Sequence, residues 1–128
     1  MEAVKHDIRN REDLFLLVSR FYEKLLKDPA ISYLFTDVAR IDLDKHLPVL
    51  VDFWDAVLFQ SDTYRKNAMQ PHLDLHRQSP VSREHFKIWI TYFVETVDEL
   101  FYGQTAFIAK ERAQSIATVM QIKISQLS

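Results

Sequence analysis

Chain breakers are almost absent from this sequence. Only 1 glycine and 4 prolines occur among its 128 residues. A strand-and-turn architecture needs many more of these residues, because tight turns depend on them. Apolar side chains recur instead at steps of three and four, which is the spacing of one helix face. The sequence therefore predicts an all-α protein with about five or six helices.

The expected boundaries of the first helices follow from caps and prolines. A first helix should begin after Asn10, whose side chain can cap it, and should end at Asp28 and Pro29. A second helix should not start much before Asp44, because Pro48 has to lie near its first turn. Both helices carry apolar residues along one face, as packing into a core requires.

Two further helices are expected toward the end of the chain. One should begin after a Ser82 cap and run to Phe101, with Gly103 as a left-handed stop. The last should carry its apolar face over residues 106–124, and residues 61–81 are expected to be irregular. Because no repeat or linker interrupts this pattern, we expect a single domain over residues 1–128.

The composition excludes several classes of protein. The chain has no cysteine, which excludes disulfides, thiolate metal sites and a cysteine nucleophile. The formal net charge of −2 lacks the basic bias of a nucleic-acid-binding protein. No apolar run approaches the roughly 20 residues that span a bilayer, and the charged start is not a secretory signal. A cytoplasmic location is compatible with the lack of cysteine, and we expect a folded monomer there with no nucleic-acid or membrane partner.

Two of the five histidines, His72 and His76, lie four residues apart in the stretch PHLDLHRQ. Imidazoles at this spacing share one helix face and could hold a metal ion together. A structural zinc site needs about four ligands, however, and only Glu84 and His85 are nearby helpers. Spacing alone therefore leaves open whether these residues bind a metal or are ordinary surface histidines.

Three other side chains, Tyr22, His46 and Trp89, carry polar atoms on otherwise apolar faces of three different helices. A buried phenol or indole must find a hydrogen-bond partner. That partner is a backbone carbonyl in a simple core, or a ligand if the polar tips converge on a cavity. Periodicity does not distinguish these cases. The helix of His46 also has an aliphatic and aromatic face, formed by Leu50, Phe53 and Trp54.

The order and spacing of these residues resemble the truncated haemoglobins, specifically their third group. The resemblance covers residues 15–125 and rests on an ordered set of short motifs. The sequence also lacks glycine pairs. In this it resembles the third group and differs from the first two groups, which use glycine-rich hinges. The motifs are residues 21–24 (FYEK), Phe35, His46 with Phe53 and Trp54 downstream, residues 67–72 (NAMQPH) and residues 86–89 (FKIW).

This resemblance implies a truncated globin-like helical sandwich around haem b. His72 is then the proximal histidine that binds the iron, with its second ring nitrogen held by a hydrogen bond. Phe35 is expected to pack on the porphyrin, and Arg65 or Lys66 to pair with a haem propionate. Counting back from the FKIW motif selects His76 instead, whereas the NAMQPH motif favours His72 as the ligand.

On the other face of the haem, the resemblance makes Tyr22, His46 and Trp89 the residues that meet a bound ligand. Donors aimed at a charged ligand atom strengthen binding by roughly 1–3 kcal/mol each. His46 could act as a gate or bind the iron as a sixth ligand. The expected pocket walls are Leu50, Phe53 and Trp54, together with Trp89.

The implied function is a haem protein that binds dioxygen and other diatomic ligands at a five-coordinate iron. Slow release would favour oxygen chemistry, such as nitric oxide detoxification, over oxygen transport. A nitric oxide dioxygenase-like or peroxidase-like activity would require electrons from a separate reductase, because no flavin or nicotinamide domain is recognisable in the sequence.

The alternative function is that of a haem-free helical protein that binds a ligand or a partner. It predicts that the polar tips of Tyr22 and Trp89 bond to backbone groups. A small metal protein that uses His72 and His76 is a third interpretation. An absorption spectrum of the haem-treated protein and a metal analysis would distinguish the three.

Overall fold

A computed structural model describes residues 5–60, 75 and 81–126 of the chain. Five α-helices and one π-helical segment lie in this part, and none of the described residues forms a strand. The predicted all-α class is therefore confirmed. The elements are α1 (Arg11–Lys27), α2 (Pro29–Tyr33), the π segment (Leu34–Val38), α3 (Leu43–Phe59), α4 (Arg83–Leu100) and α5 (Gln104–Ser125).

The long helices form two packed pairs. α1 lies against α3, and α4 lies against α5. α1 also packs on α4, which joins the two pairs into a sandwich. The predicted helical sandwich is therefore confirmed. In the described part of the chain, no helix is long and apolar enough to cross a membrane.

Side-chain caps confirm the predicted helix starts. The side chain of Asn10 accepts a hydrogen bond from a backbone N–H in the first turn of α1. Ser82 caps the first turn of α4 in the same way. α3 begins at Leu43, as expected from the position of Pro48, which lies inside the helix. Local sequence therefore determines where these helices begin.

The prediction for Gly103 is wrong. α4 ends at Leu100, and the N–H of Phe101 bonds to the carbonyl of Val97 in the last turn. Gly103 has φ 150° and ψ −173°, which is not the left-handed helical conformation of a helix stop. It instead precedes the first residue of α5 as the N-cap, so Gly103 starts one helix rather than ending another.

Gly103 adopts this conformation against the side chain of Asp7. A β-carbon at Gly103 would overlap the carboxyl group of Asp7, with Oδ2 only 2.6 Å away. The two carboxylate oxygens accept hydrogen bonds from the N–H groups of Thr105 and Ala106. Burial alone would raise the pKa of Asp7, but these bonds outweigh burial and lower it. The N-terminus of α5 is thus capped by a residue that precedes α1.

Phe93 lies at the centre of the core and is fully buried. Its ring stacks on Trp54 with the ring centroids 4.9 Å apart, and on Trp89 with the centroids 5.8 Å apart. Phe21 meets the same ring edge-on at 5.3 Å. α1, α3 and α4 therefore share one aromatic cluster, and this cluster holds Trp89 in position.

Candidate functional site

An apolar cavity of about 60 Å³, the central cavity, borders this aromatic cluster at Trp89. Four of the α-helices and the π segment contribute to its wall. Most of the lining side chains are aliphatic or aromatic, which suits an apolar ligand held by a few polar contacts. The lining residues are Tyr22, Ile31, Leu34, Phe35, Leu75, Val81, His85, Phe86, Trp89, Ala117 and Met120.

Tyr22 of α1 and His46 of α3 are joined at the cavity. The Tyr22 hydroxyl lies 3.0 Å from Nε2 of His46, and the two rings meet edge-on at 5.4 Å. Tyr22 is only 5% exposed, and burial raises the pKa of its phenol well above the usual range. The hydroxyl therefore keeps its proton and remains a donor at any ordinary pH.

Trp89 of α4 supplies a second polar group to the cavity wall. Its ring packs on Phe21 and Phe93, and its side chain is half-buried. Within residues 5–60, 75 and 81–126, the indole N–H of Trp89 donates no hydrogen bond. Within those residues, Trp89 therefore lacks the backbone bond that a simple core predicts, and Tyr22 bonds to a side chain instead.

The structure separates the other predicted site residues into two sets. Phe35 lines the cavity, and its ring meets that of Tyr22 at 5.5 Å. Trp54 is buried against Phe93, outside the cavity lining. Leu50 and Phe53 of α3 are expected to form pocket walls. Both are partly buried and pack on the same core, so their role at a ligand stays a prediction.

The candidate iron ligands His72 and His76 lie outside the described residues, as does Arg65. Leu75, which lies between the two histidines in the sequence, lines the central cavity. Among residues 5–60, 75 and 81–126, no three His, Asp or Glu side chains are grouped closely enough to hold a metal ion.

His85 is a cavity residue whose role the sequence did not reveal. It is buried, and its Nε2 lies 2.9 Å from the hydroxyl of Tyr33 on α2. Its Nδ1 accepts a hydrogen bond from the backbone N–H of Ser82, which completes a capping box at the start of α4. A capping box usually carries Glu or Gln three residues after the serine, so a histidine at this position is not its usual signal. The contact with Tyr33 has no local signal.

Comparisons of sequence and of fold point to one kind of protein. No family model matches the chain. Its sequence is 27% identical over 121 residues to group 3 truncated hemoglobin ctb of Campylobacter jejuni, which covers 92% of this chain and 93% of that protein. Its fold matches the crystal structure of group III truncated hemoglobin from Campylobacter jejuni with a TM-score of 0.84 and 26% identity, over 94% of this chain and 95% of that one.

Proposed function

We propose that this chain, which belongs to the group 3 truncated haemoglobins, binds haem and a diatomic gas at the central cavity. The observation that carries the proposal is the makeup of the cavity wall. Tyr22, Phe35 and Trp89 come together there, and His46 bonds to Tyr22. Leu75 adds a residue from the segment that carries both candidate iron ligands.

The chemistry of the central cavity fits a porphyrin. Its aromatic and aliphatic walls match the apolar faces of the ring, and its few polar groups are available to orient a ligand. The cavity volume of about 60 Å³ is far below the roughly 300–1,000 Å³ of usual ligand sites, so the walls must separate to admit haem. We therefore expect haem uptake to be coupled to a rearrangement of the cavity wall.

His72 is the proposed ligand of the haem iron, through a neutral imidazole nitrogen. Its second ring nitrogen should donate to a carbonyl or a carboxylate, which fixes the tautomer and the ring orientation. Phe35 is proposed to pack on the porphyrin, and Arg65 to pair with a propionate. Haem iron, when bound, supplies the position at which a diatomic ligand coordinates.

Tyr22, His46 and Trp89 are the proposed contacts of that ligand. The phenol of Tyr22 keeps its proton because of its burial, so it can donate at any ordinary pH. The indole N–H of Trp89 has no competing acceptor in the described part of the chain. His46 holds the Tyr22 hydroxyl, and with its proton on Nε2 it would donate to that oxygen and leave the phenol proton for the ligand.

Such donors favour a ligand with partial negative charge, such as dioxygen, over a neutral one. Release of the ligand should then be slow, which suits oxygen chemistry better than oxygen transport. Conversion of nitric oxide to nitrate is one such reaction, and it would draw its electrons from a separate reductase. An oxygen dissociation rate as fast as that of ordinary carriers would contradict this part of the proposal.

Titration of the purified protein with haemin tests the proposal. The unaltered chain should develop an intense Soret band at one equivalent. The His72→Ala variant should lose most of this band or shift it, because the iron loses its protein ligand. The His76→Ala variant should keep it. His6→Ala is a matched control, because His6 is an exposed histidine near the start of the chain.

Three outcomes would change the assignment. Loss of the band in His76→Ala alone would identify His76 as the ligand and leave the haem function intact. No Soret band with the unaltered chain would favour a haem-free helical protein. Stoichiometric zinc or iron without porphyrin, lost on substitution of either His72 or His76, would favour the two-histidine metal site.

A further inference from the structure

His85 and Tyr33 form a polar pair at the edge of the central cavity. Their rings meet edge-on at 5.7 Å, and Nε2 of His85 lies 2.9 Å from the Tyr33 hydroxyl. His85 is buried and lines the cavity, whereas Tyr33 is 36% exposed. Tyr33 also directly precedes Leu34 and Phe35, which both line the cavity. The Tyr33 hydroxyl therefore lies where the cavity wall meets solvent.

The hydrogen bonds of His85 determine where its ring proton is. The backbone N–H of Ser82 donates to Nδ1 of His85 at 2.9 Å. Because Nδ1 is an acceptor, it carries no proton, and the neutral ring must carry its proton on Nε2. Nε2 then donates to the oxygen of Tyr33. The start of α4 thus fixes the tautomer of His85 and the direction of its bond to Tyr33.

This assignment leaves the Tyr33 O–H free to donate. Its oxygen accepts from His85, and its own proton has no acceptor in the described part of the chain. The described lining of the central cavity includes no lysine or arginine. At this solvent-facing edge of the cavity, the donor offered to an anion is therefore the neutral phenol of Tyr33. A hydrogen bond to a charged acceptor is stronger than one between two neutral groups.

We propose that Tyr33 donates a hydrogen bond to a carboxylate of bound haem and that His85 orients the Tyr33 hydroxyl for it. The inference rests on the haem-binding function proposed above. The carboxylates of a porphyrin lie at one edge of an apolar ring, and they require donors close to solvent. Tyr33 meets that requirement, and His85 acts as a positioning residue through it.

The rate of haem loss to excess apomyoglobin tests the contact. Haem and haem dimethyl ester are loaded separately, because the ester removes the negative charge but keeps the ring. Tyr33→Phe should accelerate the loss of haem by at least about 10-fold and should change the loss of the ester much less. Tyr102→Phe is the matched control, because Tyr102 is 79% exposed and should change neither rate.

His85→Gln tests the positioning role without removing the helix cap. Glutamine is a usual residue at this position of a capping box, so α4 should still begin at Ser82. While its side chain is bonded to the Ser82 N–H, however, it cannot hold Tyr33 as the imidazole does. The variant should unfold at nearly the same urea concentration as the unaltered chain, and its loss of haem should be accelerated much more than its loss of the ester.

The outcomes separate this inference from the proposed function. Equal acceleration for both porphyrins in Tyr33→Phe, or no acceleration for either, would overturn the carboxylate contact and leave haem binding standing. Unchanged haem loss in His85→Gln would overturn the positioning role. Failure of the unaltered chain to bind haem at all would overturn the proposed function, and this inference with it.

Discussion

The Tyr22 hydroxyl and Nε2 of His46 lie 3.0 Å apart, so two of the three groups proposed to meet a ligand are bonded to each other. A phenol has one proton and cannot donate it to His46 and to a ligand at the same time. The bond can persist with a ligand present only if His46 carries the proton on Nε2 and donates to Tyr22. The tautomer of His46 therefore determines whether Tyr22 can donate to the ligand.

Replacement of Tyr22 by phenylalanine should speed ligand release. The loss of one donor to a partly charged ligand costs about 1.5–3 kcal/mol, which corresponds to roughly 10–100-fold in the dissociation rate. Stopped-flow displacement of dioxygen from the haem-loaded protein measures this rate. Tyr92→Phe is the control, because Tyr92 bonds to Asp28 and does not line the cavity. Equal rates in the unaltered chain and in Tyr22→Phe would remove Tyr22 from the ligand site.

Burial of Tyr22 should also make the fold sensitive to alkali. Its pKa is raised above the ordinary 10.0, so above that pH the unfolded chain releases a proton that the folded chain retains. The free energy of unfolding should therefore fall as the pH rises above about 10. Urea unfolding between about pH 8 and pH 11 should show a shallower decline in Tyr22→Phe. Some decline should remain, because the bond to Asp28 also raises the pKa of Tyr92.

Asp7→Asn should destabilise the protein more at neutral pH than in acid. The hydrogen bonds from α5 lower the pKa of Asp7 despite its burial, so its contribution is present above the ordinary 3.8 and is lost as the pH falls through the lowered value. An amide has one acceptor oxygen where the carboxylate has two, and the loss of a helix cap costs about 1 kcal/mol.

Urea unfolding at about pH 7 and about pH 3 measures this difference for Asp7→Asn. Asp37→Asn provides the comparison, because Asp37 is an exposed acid whose side chain bonds only to its neighbour Thr36 among the described residues. The same loss of unfolding free energy at both pH values would mean that the charge of Asp7 is not what stabilises α5.

Gly103→Ala should cost about 1–3 kcal/mol of unfolding free energy. The new β-carbon would overlap the carboxyl group of Asp7, and a φ of 150° is one that residues other than glycine rarely adopt. The same substitution made in an Asp7→Ala background should cost less, because the carboxyl group is gone and only the β-carbon of residue 7 and the backbone strain still oppose it. If Gly103→Ala costs the same in both backgrounds, the side chain of Asp7 does not clash with the new β-carbon.

The sequence predicted those parts of the fold that depend on neighbouring residues. Asn10 and Ser82 cap the helices that follow them, because a cap acts within one turn. Gly103 was misread because its conformation depends on Asp7, which approaches from the other end of the chain. A local pattern contains no information about such an approach.

The candidate site was predictable only in part for the same reason. Periodicity placed Tyr22, His46 and Trp89 on helices, and the family resemblance predicted that all three meet a bound ligand. The direct bond between Tyr22 and His46 depends on how α1 packs on α3, which no single segment specifies. The pair of Tyr33 and His85 joins residues 52 positions apart, so it became visible only in the fold.

The chain contains 2 tryptophans, and both stack on Phe93. Trp54 lies within the core and Trp89 also lines the central cavity, so the tryptophan fluorescence of the protein originates entirely from this one cluster. A porphyrin in the cavity would quench both indoles by energy transfer, and unfolding would shift the emission of both to longer wavelength. The same two side chains therefore give a label-free optical readout of cofactor occupancy and of core integrity.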